Sequence, residues 1–455
     1  MSTKILTFLG TGEYKKATYH LQGGEGYCSH FIQEALYEVL KVRNPGKTYE
    51  LLICLTGEAK EKNWNPETIE ISKSGETYEG LVHILNRREI PYKVIDIFSG
   101  ENEEELWENF IHVSEYLGEG DEVIMDITHS FRSIPVIFLS VLNYNKLLKD
   151  INIAGIFYGA WESAVDGHAP IFNLTMFDHL TDWADATSHF MESGRSSALE
   201  RVIHSMIEPK LKNGLLRTEE LIQVKKAKKA LKGFSEDIHS VRGKSVGKSA
   251  VEAREALIKV RKTDTMELKP LEKIVDRIID QLEPFTYDAS APEKNMVENL
   301  IHITDLCVEF DLIQQGYTFL RENIINAFCR ALGEPVVGKR LSNPDSSEKK
   351  LLLRDLVEDL LNTYYSPENL KGKTFDELFG KIDNPLLSEL ISRVHRSPLE
   401  KEGAIQLGKT FDKVRNFRND LNHGGFRADA SKPLTLRTEL RELNREFERI
   451  IRTID

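Results

Sequence analysis

Several features that would define other protein classes are scarce or missing from this sequence. Its four cysteines show no metal-ligand spacing, and a disulfide framework is not expected in a chain of 455 residues. No apolar run approaches the ~20 residues of a membrane span. The first residues lead directly into a predicted strand, so we expect no signal peptide. The sequence therefore predicts a cytoplasmic protein that does not enter a membrane.

The sequence also has no excess of basic residues, as its formal net charge of −12 shows. This charge argues against non-specific coating of nucleic acid and leaves room for a local basic groove. One basic segment, with Lys225, Lys226, Lys228 and Lys229, is either an RNA-facing patch or a solvated helical face. The chain has no H-E-x-x-H motif, no paired C-x-x-C motif and no evident carboxylate cluster, so we expect no metal and no cofactor.

The length predicts two or three domains, and the order of apolar segments changes near residue 178. Residues 1–178 alternate short apolar strands with amphipathic helices, which predicts an α/β, Rossmann-like parallel sheet with helices on both faces. Strand patterns are missing beyond that point. We assign residues 179–292 to a helical linker region and 293–455 to an all-α domain, with a helix pair that turns at Gly316.

The first strand ends in a glycine-containing turn, Gly10-Thr11-Gly12-Glu13-Tyr14. A dinucleotide fingerprint would need a third glycine at position 15, which is Lys15. The turn is therefore weak support for a dinucleotide site. Its glycines still allow the backbone to approach a ligand phosphate closely.

A later strand ends in an unusually polar run, Asp126-Ile127-Thr128-His129-Ser130-Phe131-Arg132-Ser133, before a helix that opens with Ile134-Pro135. Ser133 can cap that helix, whose positive end favours an anion. Thr128, Ser130 and Arg132 are candidates for phosphate or ribose contacts. The alternative is a polar capping loop without a ligand.

Near the C-terminus, residues 415–425 read R-N-F-R-N-D-L-N-H-G-G. Phe417 and Leu421 share one helical face, and the two glycines that follow His423 predict the end of the helix. A guanidinium can grip a phosphate through two hydrogen bonds, and an imidazole can move protons at neutral pH. Arg418 and His423 are therefore suited to cleaving a phosphodiester in RNA.

These motifs resemble a known family at both ends of the chain. The R-N-D-L-N-H run is similar to the R-(polar)-x-x-x-H signature of HEPN ribonucleases. The run D-I-T-H-S-F-R-S-I-P, together with G-T-G-E-Y, resembles the CARF domain of CRISPR-associated CARF–HEPN proteins from type III systems. In that family two Rossmann-like CARF domains bind a cyclic oligoadenylate, and a HEPN dimer cleaves single-stranded RNA.

The resemblance implies an antiviral, metal-independent endoribonuclease that works as a homodimer or higher even-numbered oligomer and leaves a 2′,3′-cyclic phosphate. The implied catalytic residues are Arg418, Asn419 and His423. The residues expected to hold the activator are Gly10, Thr11, Gly12, Tyr14, Thr56, Asp126, Thr128, His129, Ser130, Arg132 and Ser133.

Two other functions stay open at this stage. The chain could be a non-catalytic sensor, such as a regulator or scaffold, although the intact Arg-His motif argues against it. The N-terminal domain could also degrade its own activator, for which Lys15, His129 and Arg132 are the candidate groups. The sequence does not choose between a tetra-adenylate and a hexa-adenylate ring.

Overall fold

The chain divides into two units, residues 1–179 and 180–455, within the helix Thr175–Ser193. The computed structural model describes residues 2–22, 24–72, 75–129, 134–212, 218–262, 269–293, 295–335, 339–342, 350–367, 377, 385–426, 428 and 430–453. In these ranges no helix is both long enough and apolar enough to cross a membrane. The boundary predicted at residue 292 stays a prediction.

The first unit is built on a sheet whose described strands number eight, in the order β3-β2-β10-β9-β8-β1-β4-β7. A separate small ladder pairs β5 with β6. The strands are β1 (Thr3–Phe8), β2 (Ala17–Leu21), β3 (Tyr27–Ser29), β4 (Tyr49–Leu55), β5 (Ile69–Glu70), β6 (Thr77–Tyr78), β7 (Tyr92–Asp96), β8 (Glu122–Asp126), β9 (Asn152–Gly159) and β10 (His168–Asn173).

The helices of this unit connect and cover the strands. They are Ile32–Arg43, Gly57–Ala59, Leu81–Arg87, Glu103–Tyr116 and Ile134–Leu148, with a π-helical turn at Lys60–Trp64 and a 3₁₀ turn at Trp161–Ser163. The predicted alternation of strand and helix is confirmed for β1, β4, β7, β8 and β9, which are mutually parallel.

The prediction of a parallel sheet is wrong along one side. Strand β10 runs antiparallel to β9, β2 pairs parallel with β10, and β3 is antiparallel to β2. The physical reason is the length of the connections. No long crossover helix separates β2 from β3 or β9 from β10, and such short links can only return the chain in the opposite direction.

Alternating side chains of the central strands supply two separate cores. Ile5 and Ile53 point to one face, where the helices Ile32–Arg43 and Leu81–Arg87 contribute buried side chains. Leu6 and Cys54 point to the other, where Val113 and Phe138 come from the helices Glu103–Tyr116 and Ile134–Leu148. Each central strand is thus buried on both faces, which explains its continuous apolar sequence.

In the described residues of the second unit, the regular structure is helical except for one two-stranded antiparallel ladder, Arg340–Ser342 with Lys350–Leu352. The helices that the structure describes after Thr175–Ser193 are Ser197–Lys212, Thr218–His239, Val246–Arg261, Lys269–Leu282, Met296–Glu309, Ile313–Ala331, Leu353–Thr363, Pro385–Arg396, Glu400–Asn422 and Pro433–Arg452.

The predicted turn at Gly316 is wrong, because Gly316 lies inside the helix Ile313–Ala331. The chain reverses earlier, at residues 310–312, where Asp311 has a left-handed backbone with φ 56°. A Cβ on Gly316 would lie 2.5 Å from Leu440 Cδ2 and 3.1 Å from Cys307 Cβ. This glycine therefore permits close helix packing and does not form a turn.

Candidate functional site

The strand order defines one crevice in the first unit. β1 lies between β4 and β8. From β4 the chain continues outward to β7 and then returns across β4 and β1 to β8, so the carboxyl ends of β1 and β8 border a topological switch point. Ligands of open α/β sheets bind at this position. From β1 the chain must reach β2, beyond β8, β9 and β10. Residues 9–16 therefore cross the carboxyl ends of β8 and β9.

Asp126 is the last residue of β8, beside this switch point, and is fully buried. Its Oδ2 accepts a hydrogen bond from the Thr7 hydroxyl at 2.6 Å. Its Oδ1 accepts from the Thr128 amide at 3.0 Å and from the Thr128 hydroxyl at 2.5 Å. Burial raises the pKa of Asp126, and these hydrogen bonds oppose the rise. The carboxyl group thus joins the ends of β1 and β8.

Thr128 extends the same network to a third strand, because its Oγ1 accepts the Gly159 amide at 2.8 Å. A hydroxyl has one hydrogen, and that of Thr128 is donated to Asp126. In this arrangement Thr128 can accept a hydrogen bond from a ligand but cannot donate one to a phosphate. Its position is that of a structural tie between strand ends.

Gly10, Tyr14 and His129 contact one another at the same edge of the sheet. The Gly10 amide donates to the Tyr14 hydroxyl at 2.7 Å, and the Tyr14 ring meets the His129 ring edge-on with centroids 4.5 Å apart. A Cβ on Gly10 would lie 3.3 Å from the Tyr14 oxygen and 3.4 Å from His129 Cβ. The glycine is needed here for close approach. Burial raises the pKa of Tyr14.

One ring nitrogen of His129 has no hydrogen-bond partner among the described residues. This atom, Nε2, is buried. Burial lowers the pKa of the imidazole, although Asp126 acts in the opposite direction. A neutral imidazole offers one donor and one acceptor, so His129 is equipped to read a polar group of a ligand.

Asn63, which the sequence analysis missed, fixes the glycine turn. Its Nδ2 donates to the carbonyls of Gly10 at 2.8 Å and Gly12 at 2.9 Å. Asn63 lies in the π-helical turn Lys60–Trp64, directly after the short helix Gly57–Ala59. Thr56 caps that short helix by accepting the Ala59 amide at 3.2 Å. Thr56 therefore positions the segment that carries Asn63.

The structure brings together six of the predicted activator-binding residues: Gly10, Gly12, Tyr14, Asp126, Thr128 and His129. Thr11 is half-buried in the same turn. Ser130, Arg132 and Ser133 lie outside the described residues, so their predicted roles stay predictions.

The Arg-His segment lies at the end of the helix Glu400–Asn422, and His423 is the residue at its C-terminal cap. Gly424 and Gly425 follow with left-handed φ values of 62° and 73°. The predicted helix end is thereby confirmed, and its cause is the freedom of glycine to adopt this conformation. The His423 side chain is exposed to solvent.

Arg418 is held by the neighbouring helix Ile313–Ala331. Its Nε donates to the Thr318 hydroxyl oxygen at 3.4 Å. One turn further along, Gln314 Nε2 donates to Asn422 Oδ1 at 3.2 Å. Both pairs are spaced by four residues on each helix, so the two polar contacts stack along one antiparallel seam.

Arg418 and His423 do not share a helical face. Five residues at ~100° per residue place them about 140° apart around the axis, whereas Asn422 lies close to the direction of Arg418. One copy of the segment therefore presents the guanidinium and the imidazole in different directions. Asn419 is half-buried beside Arg418.

Asp420 is the buried member of this segment and was not predicted from the sequence. Its Oδ2 accepts the Ser431 amide at 2.8 Å, which ties the chain after the glycines to the helix. Gly425 also donates its amide to the Asp420 carbonyl at 3.3 Å. Asp420 thus stabilises the helix end on which His423 lies.

Three side chains outside the crevice lie close enough together to be candidate metal ligands. Asp178, His179 and Asp182 have ligand atoms within 4.8 Å of one another on the helix Thr175–Ser193. Both oxygens of Asp178 accept hydrogen bonds from Lys146 Nζ, at 2.9 and 2.8 Å. Because an ammonium already neutralises this carboxylate, we assign no metal to the group.

Comparisons with known proteins agree with the N-terminal fold. Residues 4–162 match the family model described as the CARF domain of CRISPR system endoribonuclease Csx1. A Methanocaldococcus jannaschii relative, CRISPR-associated protein MJ1674, is 28% identical over 228 residues, an alignment that covers 42% of this chain and 35% of the relative. The matched region thus spans about a third of that relative's length.

A solved structure of Enterococcus italicus Csm6, bound to cyclic hexa-2′-fluoro-hexa-dAMP, aligns over 100% of this chain and 94% of its own, with 11% identity and a TM-score of 0.34. The family match covers the strands of the crevice, including the turn after β1 and the loop after β8. Over residues 4–162 the N-terminal unit of this chain therefore resembles the CARF domain found in CRISPR-associated proteins.

Proposed function

We propose that this chain is a CRISPR-associated, metal-independent endoribonuclease that cuts single-stranded RNA when a cyclic oligoadenylate binds its CARF domain. The observation that carries the proposal is the order of two features: a Csx1-type CARF match over residues 4–162 and an Arg-His motif at a helix end near the C-terminus. The helical domain that holds the motif is proposed to be a HEPN domain.

The crevice supports the sensing half of this proposal. Two hydrogen bonds from Asn63 hold the turn Gly10–Gly12, where glycine allows a phosphate to approach the backbone closely. The buried Nε2 of His129 is available for a hydrogen bond to a base or phosphate. An adenylate has both kinds of group, so it suits a site with backbone amides and a neutral imidazole.

The helix Ile134–Leu148 supports dimerisation. Its solvent side carries five large apolar side chains: Val136, Leu139, Tyr144, Leu147 and Leu148, with Leu147 92% exposed. An exposed apolar stripe of this kind marks an interaction surface. The helix follows directly from the loop after Asp126, so a two-fold contact there would place two copies of the crevice side by side around a symmetric ring.

The cleavage chemistry uses the RNA's own nucleophile. The 2′-oxygen attacks the adjacent phosphorus, the bond to the 5′-oxygen breaks, and the products are a 2′,3′-cyclic phosphate and a 5′-hydroxyl. Arg418 stabilises the charge that develops on the non-bridging oxygens. His423 removes the 2′-proton or protonates the leaving 5′-oxygen, and Asn419 positions one of these groups.

Two copies of the motif fit this chemistry better than one. Within one chain the guanidinium and the imidazole point about 140° apart, so a single helix end does not surround one phosphate. A two-fold dimer supplies two imidazoles, one for each proton transfer. The proposed active site is therefore shared between protomers.

The experiment is an RNA cleavage assay with the full chain and a fluorescent single-stranded RNA, with and without cyclic tetra-adenylate and cyclic hexa-adenylate. We expect cleavage to rise sharply with one of the two rings. A ring that binds without any cleavage would identify a non-catalytic sensor. A ring that is consumed during the assay would identify a CARF domain that also degrades its activator.

A further inference from the structure

A lysine and a tryptophan meet at the edge of the CARF crevice. The Lys15 Nζ lies 4.3 Å from the centroid of the Trp161 ring. Lys15 belongs to the segment that crosses from β1 to β2, and Trp161 follows β9 by two residues. The contact therefore lies at the carboxyl end of β9, next to the Thr128–Gly159 tie.

The two side chains differ in how firmly they are held. Trp161 is half-buried and packs against the core cluster on the Ile5 face of the sheet. Lys15 is exposed, and among the described residues no carboxylate forms an ion pair with it. The indole is thus a fixed surface, whereas the ammonium rests on it and can move.

The contact between Lys15 and Trp161 is weak compared with the contacts that a nucleotide would offer to each of them. A cation over an exposed aromatic ring is stabilised by roughly two- to fivefold. A charge-assisted hydrogen bond to a phosphate is worth roughly tenfold or more, and stacking of a base on an aromatic ring is worth a similar factor. A nucleotide therefore offers both partners more than they gain from each other.

We infer that Lys15 and Trp161 form a nucleotide subsite of the crevice, in which a base stacks on the indole and the displaced ammonium binds the adjacent phosphate. This inference rests on the proposed sensing function. It adds two residues to the site and gives the segment 9–16 a role beyond its glycine turn. No bond is made or broken in this exchange.

The test is calorimetry on the full chain with cyclic tetra-adenylate, cyclic hexa-adenylate, linear tetra-adenylate and ATP. Trp161→Leu keeps apolar packing but removes the aromatic face, and it should weaken binding about tenfold. Trp161→Phe should retain most of the affinity. A base that stacks on the Trp161 indole should change the tryptophan emission of the parent, and Trp161→Phe should abolish that change.

Lys15→Gln should weaken binding about tenfold and make the affinity less dependent on salt. Lys15→Arg should restore binding. The matched control is Lys16→Gln, which removes the same charge from the next residue of the same exposed segment. It should leave the affinity within about twofold of the parent if the effect is specific to the indole contact.

The outcomes separate the subsite from the proposed function. If a ring activates cleavage but neither Lys15→Gln nor Trp161→Leu changes its affinity, the subsite is wrong and the function stands. Tighter binding by Lys15→Gln would also overturn the subsite, because the contact would then only close the crevice. If no ring binds but ATP or linear tetra-adenylate binds in a Trp161-dependent manner, the subsite stands and the ring-activated function fails. If none of the four probes binds, the proposed subsite is wrong.

Discussion

The Thr318 hydroxyl connects Arg418 to the backbone of the neighbouring helix. It donates to the Gln314 carbonyl at 2.9 Å, and this leaves a lone pair for Arg418 Nε at 3.4 Å. Thr318 thus positions the Nε atom of Arg418. This hydrogen bond uses only one of the five N–H donors of the guanidinium. We expect the other donors to serve the RNA phosphate.

Thr318→Val should therefore lower kcat for RNA cleavage by roughly tenfold and leave KM and the unfolding temperature nearly unchanged. Thr318→Ser should restore the rate, because it keeps the oxygen. Thr438→Val is the matched control, since Thr438 is exposed and makes the same backbone contact, to the Leu434 carbonyl at 3.0 Å. Equal rates for Thr318→Val and the control would exclude the positioning role.

Arg418→Ala and His423→Ala should each reduce cleavage by about 10²-fold or more. His423 is exposed, so its removal costs little stability. The measurement is the single-turnover rate on a fluorescent single-stranded RNA at saturating activator, with ring binding followed by calorimetry as the control. Parent-like cleavage by either variant would show that the active site lies elsewhere.

Cleavage should persist in excess EDTA, because the proposed chemistry needs only the RNA 2′-hydroxyl and the Arg418, Asn419 and His423 side chains of the two protomers. The 5′ fragment should end in a 2′,3′-cyclic phosphate, which mass spectrometry distinguishes from a linear phosphate by the mass of one water. Loss of cleavage on chelation, with recovery on adding a divalent ion, would require a different mechanism.

The buried carboxyl of Asp126 predicts a pH dependence. Its pKa is raised from 3.8 by burial, so the folded chain keeps this proton to higher pH than the unfolded chain does. Between these two values the folded state binds more protons, and its stability falls as pH rises. Asp126→Asn removes this titration.

The unfolding temperature of Asp126→Asn should therefore fall less than that of the parent from about pH 4 upward. Circular dichroism melts across this range provide the measurement. Asp166→Asn, which removes an exposed carboxyl, provides the control. Parallel curves for parent and Asp126→Asn would mean that the Thr7 and Thr128 hydrogen bonds fully offset the burial.

Leu147→Glu should convert the proposed dimer to a monomer, because it places a charge on the apolar stripe of the helix Ile134–Leu148. The side chain is 92% exposed, so folding of the protomer should be unaffected. Sedimentation velocity measures the oligomeric state. Val42→Glu is the control, since Val42 is 64% exposed on the helix Ile32–Arg43, which covers the opposite sheet face. An unchanged dimer in Leu147→Glu would exclude this interface.

The parallel part of the sheet could be predicted because its strands are buried on both faces and read as apolar runs. Strand β2, with the sequence A-T-Y-H-L, was missed because its polar residues alternate with buried ones over only five positions. Strand β3 has three residues. Such short segments gain their stability from neighbours that only the folded sheet provides.

In the candidate sites, the sequence predicted residues that lie close together along the chain but not their partners from distant segments. Asp126, Thr128 and His129 follow one strand, so a local pattern reveals them together. Asn63 is separated from the Gly10 turn by more than fifty residues, and Thr318 precedes Arg418 by 100. Contacts of this kind depend on how elements pack, and one sequence carries no local signal for them.

The two outer strands of the sheet limit how this protein can associate. β3 exposes only three residues of backbone, and its Tyr27 hydroxyl is engaged by Glu34 and Arg88. At the far side, β7 carries Lys93, which pairs with Glu50 at 3.2 Å. Short or charged edges resist the addition of a strand from another molecule, a common route to aggregation. Any ordered self-association of this domain is therefore directed to its helical surfaces and not to continued sheet pairing.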